Sequence, residues 1–105
     1  MPSDSLKAPP RAYQEFIQQY PKLAAAWEQI ADAGTEGPLD VRTARLVKLA
    51  IAIGAMREGA VHSSVRKAAS EGVSKADIDQ VVALAASTLG MPATVAVFTW
   101  TREKG

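Results

Sequence analysis

The run LDVRTARLVKLAIAIGAMREGAVHSSVRKAASE, Leu39 to Glu71, decides the fold class. Asp40 is an N-cap residue type, and behind it Ala44, Leu46, Val47, Ala50, Ile51 and Gly54 recur at the helical spacing of three and four. The helix they predict is expected to be largely buried at its end. A second helix is predicted from about Arg57 to Glu71 and stops at Gly72, which suits a left-handed C-terminal cap with Val73 making the accompanying apolar contact. On that helix Val61, Val65, Ala68 and Ala69 form an apolar arc, and Glu58 and His62 lie together toward one of its edges.

The same period extends in both directions. Upstream, Tyr13, Phe16, Ile17, Tyr20, Leu23, Trp27 and Ile30 mark helix from Pro10 to about Ala33, with Pro21 breaking or kinking it. Gly34-Thr35-Glu36-Gly37-Pro38 is a loop by composition. Downstream, Ser74-Lys75-Ala76-Asp77 approximates a capping box, with Asp in place of the usual Glu or Gln, ahead of Ile78, Val81, Val82, Ala85 and Leu89. Gly90 ends that helix, and Met91-Pro92 opens a last one carrying Val95, Ala96, Phe98 and Trp100. By β-propensity Val95 to Trp100 also reads as a strand, but neighbouring helices leave it no partner. The expectation is an all-α fold of about five to six helices, with a flexible, proline-bearing arm over 1–11 and the domain over 12–105.

Composition narrows the function classes. A chain of 105 residues makes one domain with a modest core. Its twenty alanines favour helix and close packing but supply little apolar mass, which points to burial by homo-oligomerisation. Twelve Lys and Arg against eleven Asp and Glu are scattered, so no basic stripe suggests nucleic acid. Absence of cysteine excludes disulfides, thiolate metal sites and cysteine nucleophiles. The longest apolar run, Leu49 to Met56, is far short of the roughly 20 residues that span a bilayer. The N-terminus lacks the apolar centre of a secretory signal, so a cytoplasmic protein without membrane contact is expected.

His62 is the sole histidine, and Glu58 four residues earlier shares its helical face. The pair is the candidate acid and base; the plainer reading is an exposed helical salt bridge contributing roughly 0.2–0.5 kcal/mol. Arg42, Arg45 and Arg57, with Lys48, either hold a substrate carboxylate or form a solvated charged face. Trp27, Trp100, Phe16, Phe98 and the two tyrosines either line an apolar pocket or pack in a core or subunit interface. Ser63 and Ser64 beside His62 lack a nucleophile elbow, and one histidine without supporting ligands specifies no metal.

Leu39 to Ile53, followed by Arg57-Glu58-Gly59-Ala60-Val61-His62 and Val65-Arg66-Lys67-Ala68, resembles the carboxymuconolactone decarboxylase family. The resemblance continues through Gly72 to Ile78 and Thr88 to Ala93, and covers roughly residues 12 to 101. It implies an alkylhydroperoxidase D-like helical bundle that assembles into dimers, trimers or hexamers with sites near subunit contacts. The peroxidase branch of that family uses a glutamate, a Cys-x-x-Cys pair and a histidine as a thiol and proton relay. Matched onto this chain, those positions fall on Arg45, Arg57, Ala60 and Ser64, so all four have changed and thiol peroxidase activity is rejected.

The lactone-decarboxylase branch needs no cysteine pair and no cofactor. On that resemblance, His62 oriented by Glu58 moves a proton as a small carboxylated lactone or carbonyl acid is decarboxylated or isomerised, with Arg42, Arg45 or Arg57 holding carboxylate. The alternative is a non-catalytic homo-oligomer that keeps the fold and binds a small molecule or another protein.

Overall fold

The structure, a computed structural model, describes residues 11–102. Six helices and no strand occur among the described residues, as an all-α reading expects. Val95 to Trp100, read two ways in the sequence, is helix. The expected arm over 1–11 lies outside the described residues except for Arg11, the first residue of the first helix. The chain divides after Pro38 into two compact units.

The first unit holds α1 (Arg11–Gln19) and α2 (Pro21–Ala33). Pro21 sits at the start of α2, where its missing amide hydrogen removes no intrahelical bond. The break is narrow: the Tyr20 amide still donates to the Phe16 carbonyl at 2.9 Å, while the Tyr20 carbonyl accepts from Leu23 at 2.9 Å. The Phe16 and Tyr20 rings tilt against each other with centroids 5.3 Å apart. Neither helix contains a buried residue.

The second unit is a four-helix bundle of α3 (Val41–Gly54), α4 (Glu58–Ser70), α5 (Lys75–Leu89) and α6 (Met91–Arg102). Helix α3 packs on α4 and α5, and α6 packs on α5 and α4. Leu49 and Ile53 of α3, Val61 of α4 and Val97 of α6 are fully buried at its centre. Burial of such side chains contributes about 1.5–3 kcal/mol each. Ala68, Val73, Ile78 and Val82 complete that cluster, and Trp100 is partly buried against it. The expected burial at the end of α3 is one-sided: Leu49, Ala52 and Ile53 face the core, but Ile51 is 61% exposed. Three- and four-residue spacings describe two faces of this helix, and the core of the four-helix unit takes the one that carries Leu49, Ala52 and Ile53.

Helix ends follow local chemistry. Asp40 caps α3 by accepting from the Thr43 amide at 2.7 Å. Ser74 and Asp77 close a reciprocal capping box on α5, at 3.1 and 3.3 Å. After α4, Gly72 is left-handed (φ 86°), its amide donates to the Ala69 carbonyl and the Val73 amide to Ala68, both at 3.0 Å. Helix α3 ends in the same way without glycine: Met56 takes φ 55°, its amide donates to Ile53 at 2.9 Å and that of Arg57 to Ala52 at 3.2 Å. The buried Thr94 hydroxyl is satisfied by donating to the Gly90 carbonyl at 2.8 Å. Arg102 stacks 4.0 Å over the Phe98 ring and reaches Asp79 of α5 at 3.3 Å, tying α6 to α5. Among the described residues no helix is long and apolar enough to cross a membrane.

Candidate functional site

Two separate arrangements in the bundle bring polar side chains together. The first lies in the first turns of α4, where the 3.6-residue period brings Glu58 and His62 together. His62 Nε2 stands 3.8 Å from Glu58 Oε2; the His62 side chain is 20% exposed, whereas that of Glu58 is half open to water. Val61 beside the histidine is fully buried, so the imidazole sits at the boundary between core and solvent, as the apolar arc of α4 requires.

The second is an open groove of about 580 Å³ between α3 and α5. Leu46, Val47, Ala50 and Ile53 on α3 and Leu84 and Ala85 on α5 make it mostly apolar. Arg42, Thr43, Asp77 and Gln80 from the first turns of the two helices give it one polar end. There the Arg42 guanidinium donates from Nη2 to Asp77 Oδ2 at 2.5 Å, a strong charge-assisted contact. That bond, followed by those from the Ser74 side chain and backbone, holds the Asp77 carboxyl below its ordinary value.

The structure therefore separates residues that the sequence reading grouped. Of the three arginines, Arg42 lines the groove, whereas Arg45, half-buried on α3, and Arg57, exposed at the N-cap of α4, do not. Glu58 and His62 do not line it either. Trp100 packs on the core, while Trp27 is 60% exposed. Asp77, read from the sequence only as a cap, is also the partner of Arg42. Lack of any acidic residue on α3 to balance Arg42, Arg45 and Lys48 was the available signal. Among the described residues, no three His, Asp or Glu side chains cluster as a metal ion would need.

The model of the carboxymuconolactone decarboxylase family matches residues 21–103. The chain belongs to this family. Searches of curated proteins and of solved structures give no match. As a carboxymuconolactone decarboxylase family member it has no cysteine anywhere, so it stands apart from thiol-dependent branches. Its family match runs through both α3 and α5, which build the groove, and through α4, which carries His62 and Glu58.

Proposed function

We propose that this family member binds a small, largely apolar molecule with an oxygen-bearing polar end in the α3/α5 groove, of the class of a lactone or carbonyl acid. The observation that carries this reading is the groove's composition: an apolar trough closed at one end by the Arg42–Asp77 pair, with Thr43 and Gln80 beside it. A guanidinium has five N–H donors, so donors remain for a ligand oxygen after one is given to Asp77. Asp77 offsets the charge, and a lactone carbonyl or ring oxygen fits that neutral, donor-rich end. A ligand carboxylate would have to compete with Asp77 for the same guanidinium.

Titration calorimetry against gamma-carboxymuconolactone and uncarboxylated lactones of the same ring size tests the reading. Saturable binding that Arg42→Met weakens about 10-fold or more is expected, from the roughly 1.5–3 kcal/mol of a hydrogen bond to a charged group. Binding by no member of either set, or binding indifferent to Arg42, would sink it. A second reading, proton transfer to a small lactone or carbonyl acid, is favoured by the 3.8 Å approach of Glu58 to a four-fifths covered His62. Ultraviolet turnover assays on the same compounds check it, because His62→Gln should abolish turnover while leaving groove binding unchanged.

A further inference from the structure

We infer that the ligand of the α3/α5 groove is a tailed amphiphile, a lactone or carbonyl compound carrying a straight alkyl chain of about eight to ten carbons, an inference that rests on the groove being a ligand site. Arg42 and Asp77 meet in the first turns of α3 and α5, and Gly54 and Leu89, the last residues of the same helices, line the other end. The two helices thus run side by side in one direction, and the trough between them is nearly as long as they are. From Arg42 to Gly54, as from Asp77 to Leu89, the helical rise of 1.5 Å per residue gives about 18 Å. A five-membered lactone, at about 1.5 Å per bond, covers roughly 6 Å of this. About 12 Å remains, which an extended chain advancing about 1.25 Å per methylene fills with roughly nine carbons.

Polarity is confined to the Arg42 end. Past Gln80 the lining side chains are aliphatic except for Thr88, so a second charged group on the ligand would lie against apolar wall without a partner, a cost that no methylene incurs. The volume of about 580 Å³ falls in the roughly 300–1,000 Å³ range of sites that enclose drug-sized molecules rather than a single ring. Exposed Val47 and Leu84, one on each helix, supply aliphatic contact midway along the trough. Farther on, Ala50 and Gly54 of α3 and Ala85 of α5 line it with little side-chain bulk, and a Cβ added to Gly54 meets nothing within 4 Å. Room for a chain therefore continues to the far end. A neutral head suits the near end because Asp77 already balances Arg42, whereas a fatty carboxylate would have to displace it.

Titration calorimetry on γ-lactones with straight tails graded from about one to about thirteen carbons tests it, each below the concentration at which it aggregates. A fully buried methylene tightens binding about fourfold, and one lying in a trough open along one side about twofold. Affinity should therefore rise on the order of 100-fold up to about nine carbons and stay level beyond, because the trough has ended. Gly54→Phe and Thr88→Trp, at exposed positions on the two helices, each fill the far end. With circular dichroism unchanged, either should weaken binding of the roughly nine-carbon lactone by about tenfold or more and leave the shortest lactone as it was. Arg42→Met should weaken every length alike. A rise that continues to the longest tail, or that both variants leave in place, puts the tail outside the trough and overturns the proposal. So does Arg42-dependent binding that is equal at every length, the result expected if another polypeptide covers the far half; that outcome leaves the reading of the groove as a lactone site standing. Binding at no length removes both.

Discussion

Gly72→Ala is expected to destabilise the four-helix unit by about 1 kcal/mol although the added methyl group touches nothing. No heavy atom outside the immediate chain lies within 4 Å of where that Cβ would stand, so the effect is torsional. Placing a side chain in the left-handed region costs roughly 1–2 kcal/mol, of which some 0.5–1 is recovered because alanine is less free than glycine when unfolded. Met56 turns α3 with the same hydrogen bonds and already bears that strain at φ 55°. Its side chain is partly covered, so the informative comparison is Met56→Gly with Met56→Ala, and glycine should be the more stable by about 1 kcal/mol. Gly59 supplies the opposite sign. It lies inside α4 with equally open surroundings, and Gly59→Ala should stabilise by roughly 0.5–1 kcal/mol through helix propensity. Urea unfolding followed by circular dichroism, at one protein concentration, reads all four variants; about 1 kcal/mol moves the melting temperature by roughly 4–8 °C in a domain this small. Gly72→Ala and Gly59→Ala shifting the midpoint in the same direction would refute the reasoning.

Core and caps give the remaining expectations. Leu49 is fully buried, and Leu49→Ala should cost about 3–5 kcal/mol by cavity formation, whereas Leu84→Ala at the exposed groove edge should stay within roughly 0.5 kcal/mol; thermal melts of the two check this. Hydrogen bonds from Thr43 hold the Asp40 carboxyl below its ordinary value of 3.8, and those from Arg42 and Ser74 do the same for Asp77. Carboxyls lowered by folding stabilise fully above that value and lose the contribution as pH falls through their folded values, so stability should drop from about pH 4 downward. The drop should be shallower in Asp77→Asn, as urea midpoints measured across pH will show. Ser74→Ala should cost about 1 kcal/mol, and a double-mutant cycle with Asp77→Asn should be non-additive because both residues close one capping box.

What the sequence made legible was local. Asp40, the Ser74–Asp77 box and the Gly72 turn each depend on residues within five positions, and every one was readable from residue type. The approach of Glu58 to His62 was legible for the same reason, since one helical turn fixes it. The Met56 turn was not, because methionine is not a residue type that favours positive φ and so leaves no mark of such a turn in the sequence. Nor was the α3/α5 groove: Arg42 and Asp77 are 35 positions apart, and only the bundle brings them together. Of Arg42, Arg45 and Arg57 only the first lines that groove, and spacing along a helix says nothing about which neighbour each face meets.

Short links between helices have a consequence for how quickly the bundle forms. Three residues join α3 to α4, four join α4 to α5, and Gly90 alone joins α5 to α6. Helix α3 meets α4, and α5 meets α6, across those minimal loops. Little loop-closure entropy stands in the way of either hairpin, so this half of the molecule should refold in microseconds to milliseconds. Burial of Leu49, Ile53, Val61 and Val97 at a common centre then makes the slow event the docking of two hairpins, and a dilution-jump experiment on Leu49→Ala would show how far that docking has advanced at the barrier.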